Sequence, residues 1–191
     1  RRLLRSDIVR KGMMTFALLA ATTFMAHGAT TLPKETADKF GRLYVLYSNR
    51  VCPLQTLAID FTKKLCGSAS YGGYTAEQVL MGFVMWPDEW SREPLLRLKG
   101  GALRDRLQLP RHCTINTFFN DMMGGYIIGP YLNEYYNGHD DEFHRQIADV
   151  DASIQLVMDL RRGKLLKVFP YTVNGNTHGT APTDLHAPTL P

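Results

Sequence analysis

Cysteine is scarce in this chain. Cys52, Cys66 and Cys113 are the three present in 191 residues, an odd number that leaves at least one thiol outside any intrachain disulfide. If Pro53 to Leu65 forms one helix, Cys52 and Cys66 sit at its two ends, roughly 20 Å apart at ~1.5 Å per residue. A disulfide needs Cα atoms within about 7 Å, so the helix excludes that pair and leaves Cys113 open to either. Tryptophan is limited to Trp86 and Trp90. There is no Cys-x-x-Cys-His haem-attachment motif, no glycine-rich phosphate loop after a strand and no nucleophile elbow. Composition and spacing alone therefore show no enzyme. Charge of one sign is also missing over most of the chain. Residues 1 to 11 hold Arg1, Arg2, Arg5, Arg10 and Lys11 against Asp7, which accounts for the whole formal net charge of +4. The remainder is formally neutral, without the basic surface that a run of phosphates requires, so nucleic acid is not an expected partner.

What is present begins with that basic head. Gly12 to Ala26 carries no charge and includes Met13, Met14, Phe16, Leu18, Leu19, Phe24 and Met25. The run falls short of the ~20 apolar residues that comfortably span a bilayer. With small residues at Ala26, Gly28 and Ala29 it has the pattern of a signal peptide, and with thinning or snorkelling it could span. Both readings leave the head in the cytoplasm and place the chain after about Ala29 outside.

Beyond the head, a mainly α fold with a few short strands is expected. Thr30 to Pro33 is read as a linker and Lys34 to Phe40 as a polar helical turn. Leu43 to Tyr47 are β-formers before a turn at Ser48-Asn49-Arg50. Leu54, Leu57, Ala58, Phe61 and Leu65 make one helical stripe, with Pro53 at the first position and Gly67 past the end. Thr75-Ala76-Glu77-Gln78 is a capping box opening a second helix that Trp86-Pro87 stops. Leu95 to Leu98 is read as extended, and short helices are expected at Ala102 to Leu107, Thr114 to Met123 and Pro130 to Tyr136. The longest element begins at Asp140 or Asp141 and carries Phe143, Ile147, Val150, Ile154 and Val157 on one seam, ending near Gly163. A strand follows at Leu165 to Phe169, and no period is visible from Tyr171 onward. The expected division is 1–29 as head plus membrane or signal segment, 30–170 as the helical domain and 171–191 as a loose tail of a truncated chain.

Cys52 is the candidate functional thiol, because a helix N-terminus and the neighbouring Arg50 both favour a thiolate. The competing reading is a small, half-buried cap residue. Arg50, Gln55, Trp86 and Trp90 are candidate binding residues, although aromatics such as these, or Tyr126, Tyr131, Tyr135 and Tyr136, more often line a core. His139, Asp140, Asp141, Glu142 and His144 cluster at the entrance of the long helix. Histidines five apart do not share a helical face as a zinc-binding pair would, and carboxylates suit that position without a metal. No metal ligands and no catalytic residues are assigned. Axial haem ligation by His112, His178 or His186 stays open.

Asn49-Arg50-Val51-Cys52-Pro53-Leu54-Gln55-Thr56-Leu57-Ala58 and Asp60-Phe61-Thr62-Lys63-Lys64-Leu65, within Leu43 to Gly67, carry a likeness to a known family. It continues through Gly73 to Leu80 and Glu93-Pro94-Leu95. It resumes at Asp149-Val150-Asp151 and at Leu160-Arg161-Arg162-Gly163-Lys164-Leu165-Leu166-Lys167-Val168-Phe169-Pro170. In this order the segments resemble the extracytoplasmic region of fused System II cytochrome c biogenesis proteins, the CcsBA type of Bacteroides-like bacteria. Cys66 departs from the aromatic expected before Gly67.

The resemblance implies a parent membrane protein that moves haem across the inner membrane and attaches it to apocytochrome thiols, a cytochrome c haem ligase. That chemistry belongs to a tryptophan-rich segment and to histidines by transmembrane helices, neither of which occurs here. The implied role is a non-catalytic periplasmic domain that scaffolds or docks apocytochrome c beside the rest of the parent protein. Haem would be a cofactor of the parent and not of this fragment, and residues 12–26 would sit in the inner membrane. The alternatives are a free-standing exported interaction protein and a thiol redox factor using Cys52.

Overall fold

A computed structural model describes residues 28–120, 125–173 and 176–180. The apolar run Gly12 to Ala26 and His186 lie outside the described residues. Among the described residues no helix is long and apolar enough to cross a membrane. The fold is mainly helical, with small antiparallel strand pairs between the helices.

The chain enters along Ala29 to Pro33, which includes the Thr30 to Pro33 stretch expected as a linker and is hydrogen-bonded to the body. Trp90 Nε1 donates to Thr30 O at 2.7 Å and Tyr74 Oη to Ala29 O at 3.1 Å. Gln78 Nε2 donates to Leu32 O at 2.9 Å, while Thr31 Oγ1 donates to Gln78 O at 2.8 Å. Buried polar groups need such partners, so side chains remote in sequence fix this strap. Helix α1 (Lys34–Gly41) follows, and then the hairpin β1 (Tyr44–Tyr47) and β2 (Arg50–Pro53). Ser48 and Asn49 both have positive φ, 49° and 60°, as a two-residue turn matched to strand twist requires.

Pro53 ends β2 with φ −60° and ψ 144°, so helix α2 (Leu54–Cys66) starts one residue later than its proline suggests. The fixed proline φ suits both strand edge and helix start, and ψ decides between them. Gly67 closes α2 at φ 79°, its N–H bonded to Lys63 O at 2.9 Å. A two-residue strand pair, β3 (Ser70–Tyr71) with β4 (Tyr74–Thr75), leads to α3 (Ala76–Met85). The α3 capping box forms in full: Gln78 N donates to Thr75 Oγ1 at 3.3 Å, and Thr75 N to Gln78 Oε1 at 3.1 Å.

Helices α2 and α3 pack through Phe61 and Phe83, edge to face at 5.5 Å. Trp86 ends α3, Pro87 starts the short helix α4 (Pro87–Trp90), and Trp90 folds back under α3. A Cβ at Gly82 would lie 2.2 Å from the Trp90 ring, so only glycine lets the indole reach its place. Strand β5 (Leu96–Arg97) pairs with β6 (His112–Cys113) around helix α5 (Gly101–Leu107).

The helix expected over Thr114 to Met123 is not found over Thr114 to Asn120, and Asp121 to Met123 lie outside the described residues. Ile115–Phe118 form a single 3₁₀ turn capped by Thr114, then β7 (Phe119–Asn120) pairs with β8 (Gly125–Tyr126). Ile115 and Phe118, three apart, are both buried. The tighter turn stacks i and i+3 on one side, and the β-branched and asparagine residues offer little resistance to leaving the α-helix.

Helix α6 (Gly129–Tyr136) precedes α7 (Glu142–Arg161), whose Phe143, Ile147, Val150, Ile154, Val157 and Leu160 are buried in the core. Asp141, not Asp140, caps α7. The strand expected from Leu165 starts only at Phe169. Strand β9 (Phe169–Val173) pairs with β10 (Asn176–Thr180), so backbone pairing continues where no hydrophobic period marked it.

Candidate docking surface

The candidate residues separate into two groups. Arg50, Cys52 and Gln55 lie together where β2 runs into α2, whereas Trp86 and Trp90 flank the α3–α4 corner. Trp90 is a core residue and not a contact surface. Its relative exposure is 0%, its N–H is used by Thr30, and Phe83 and Tyr74 stand at 5.7 and 5.6 Å. Trp86 is half-buried as the cap of α3.

Cys52 points inward. It sits opposite Val45 in the hairpin register and is buried with Val45, Leu54 and Leu57 in the core. Cys66 Sγ donates to Thr62 O at 3.1 Å. Burial pushes the Cys113 thiol above its ordinary pKa. All three thiols are free. Gln55 reaches from the first turn of α2 and donates to Glu77 Oε1 at 2.6 Å, supplying a partner for a carboxylate that is itself buried. Arg50 is exposed opposite Tyr47.

Around this junction the structure exposes residues that sequence reasoning did not single out. Phe40, Leu43, Tyr44 and Val51 are 37, 48, 62 and 47% exposed, and all belong to the end of α1 and the hairpin. Register explains why Tyr44 and Val51 share a face. Val45 and Cys52 face the core, so Tyr44, Val51 and Pro53 are turned to the other face. A dent lined by Asp38, Gly41, Arg42, Tyr44, Pro53 and Gln55 adjoins them. The signal available in the sequence was the continuous apolar run Leu43 to Tyr47, in which a strand cannot bury every side chain against one core. Behind the hairpin, Tyr47 Oη donates to Asp60, and Lys64 Nζ meets Asp60 Oδ2 at 2.8 Å. Burial lifts the Asp60 pKa, but the bonds from Lys64 and Tyr47 outweigh it and hold the carboxyl below its ordinary value.

The chain was compared with known proteins. It is 27% identical over 143 residues to protein NrfI of Wolinella succinogenes, a match covering 72% of this chain and 16% of that protein. The chain thus spans a small part of the relative's length. No family model matches it.

A second polar cluster lies at the α6–α7 corner. The buried His144 ring has Nδ1 at 2.7 Å from Asp141 Oδ1 and Nε2 at 2.9 Å from Glu134 Oε2. Its backbone N–H also donates to Asp141 Oδ1 at 2.9 Å. Two carboxylates facing both ring nitrogens suit the doubly protonated ring. The bond to Glu134 outweighs burial and raises the His144 pKa, while the backbone N–H of His144 helps to hold Asp141 low. Beside it, Arg106 lies 4.2 Å from the Phe143 ring centroid and edges a groove of about 610 Å³ that includes Phe118, Ile127 and Tyr131.

Among the described residues no group of three or more His, Cys, Asp or Glu side chains could hold a metal ion. Both His144 nitrogens are engaged, His139 Nδ1 contacts Glu134 O at 3.2 Å, and His112 is exposed on β6.

Proposed function

We propose that this chain is a non-catalytic domain of a cytochrome c biogenesis protein, held outside the inner membrane, where it docks apocytochrome for haem attachment carried out elsewhere in the parent protein. The observation that carries the reading is the likeness to NrfI, which points to a cytochrome c maturation role. It agrees with the resemblance to System II proteins across Leu43 to Gly67 and Leu160 to Pro170. The surface chemistry supports docking over catalysis. The hairpin offers apolar side chains and Arg50 to solvent, while the Cys52 thiol is turned into the core. A redox role for Cys52 would require the hairpin to open first.

The test is deletion of residues 32–180 from the full-length protein in its own host, followed by haem staining of c-type cytochromes. Loss of covalent haem with the parent still inserted in the membrane is expected. Undiminished haem attachment would remove the proposed role.

A further inference from the structure

The hairpin presents an edge as well as a face. It is a two-stranded sheet, so each strand has one side without a ladder partner. On the β1 side the Leu46 N–H donates to Lys167 O at 2.9 Å. Leu46 therefore points its backbone polar groups away from β2. In an antiparallel ladder, directly opposed residues either exchange hydrogen bonds with each other or both point outward. Leu46 is opposite Val51, so the Val51 N–H and C=O point away from β1, along the free edge of β2. Among the described residues nothing bonds to them, and the Val51 side chain is 47% exposed. Two residues on, Pro53 has no N–H and limits how far pairing along this edge can run. The result is one pair of backbone groups without a partner among the described residues, flanked by Arg50 and on the same face as the exposed Tyr44.

We propose that β2 accepts, by strand addition at Val51, an extended segment of a partner polypeptide with an apolar residue next to an acidic one. Backbone pairing supplies the affinity and alternate side chains the choice of sequence. Side chains alternate across a strand. A partner residue on the Val51 face therefore meets the exposed apolar surface, while the next residue turns to the face of Arg50. The guanidinium selects a carboxylate there. The proposal deepens the docking role and rests on that reading for its biological partner, whereas the edge can be tested without it.

The probe is a short peptide alternating valine with glutamate, added to the full chain while amide exchange is followed by NMR. The Val51 amide should slow by about tenfold or more at saturation, the factor expected of one hydrogen bond. Val51→Pro removes the outward N–H without touching the ladder to β1 and should weaken binding by about tenfold. Should that variant fold poorly, Arg50→Glu gives an independent reading, because it should reverse the preference toward a valine–lysine peptide. Unchanged Val51 exchange with peptide bound, or a preference indifferent to Arg50→Glu, overturns the proposal. So does protection of Val51 by concentration-dependent dimerisation, or by anionic phosphatidylglycerol vesicles in place of peptide. If deleting residues 32–180 abolishes haem attachment while both variants keep it, the docking role stands and the edge does not. If the deletion is harmless, the docking role fails, whatever the peptide does.

Discussion

The corner around Trp90 and the hairpin around Val51 contain similar residues with opposite fates. At the corner, Trp90, Phe83, Tyr74 and Tyr71 gather, and the indole N–H and both tyrosine hydroxyls have partners. At the hairpin, Tyr44, Leu43 and Val51 stay in solvent, and the Val51 backbone is unpaired among the described residues. Aromatic or aliphatic character therefore does not say which residues form the core. At the corner α3, α4 and the entering strap enclose the Trp90 side chain, whereas at the hairpin the side chains of Tyr44 and Val51 remain in solvent.

Four changes would break or sharpen that contrast. The largest effect is expected from Trp90→Ala, which leaves a cavity under α3 and frees Thr30 O. It should cost about 3–5 kcal/mol, read from the shift of the urea midpoint. An unaltered midpoint would mean that the corner is not the anchor. Gly82→Ala tests the same anchor from the other side. A methyl placed 2.2 Å from the indole must displace it, at about 1–3 kcal/mol for overpacking. Retained Trp90 fluorescence with unchanged stability would disprove the close approach.

His144 is intermediate and depends on pH. Its folded pKa is raised by Glu134 and Asp141, so its contribution is fully present below the unfolded value of about 6.5. It is lost as pH rises through the raised folded value. Stability measured from pH 5 to pH 9 should fall along that window, and His144→Gln should flatten the fall. A slope unchanged in the variant would assign the titration elsewhere. Smallest is Tyr44→Ser, expected within about 0.5 kcal/mol of the parent because the ring is 62% exposed. A larger loss would show that the hairpin face is covered within the folded protein.

Periodicity made the helical elements legible. The α7 stripe from Phe143 to Val157, the α2 stripe from Leu54 to Leu65 and the Thr75 box all appear where spacing and capping chemistry place them. The misplaced elements share a cause. Thr114 to Met123 contains residues tolerant of several conformations, and β9 with β10 carries no alternation, so pairing with neighbours decided both. The candidate site divides in the same way. Arg50 and Gln55 were singled out from local sequence, but the exposed Phe40, Leu43 and Tyr44 were not. Their exposure depends on which hairpin face meets the core.

By itself, then, the sequence determined the longer helices α2, α3 and α7 and their apolar seams, because these follow from contacts within a few residues along the chain. It also determined that the charge excess is confined to residues 1 to 11. Tertiary structure alone decided that Cys52 faces inward, that Trp90 belongs to the core and that the Val51 backbone has no partner among the described residues. Those outcomes depend on which surfaces meet across long separations in sequence. Only the packed molecule contains the Trp90 bond to Thr30 or the Leu46 bond to Lys167.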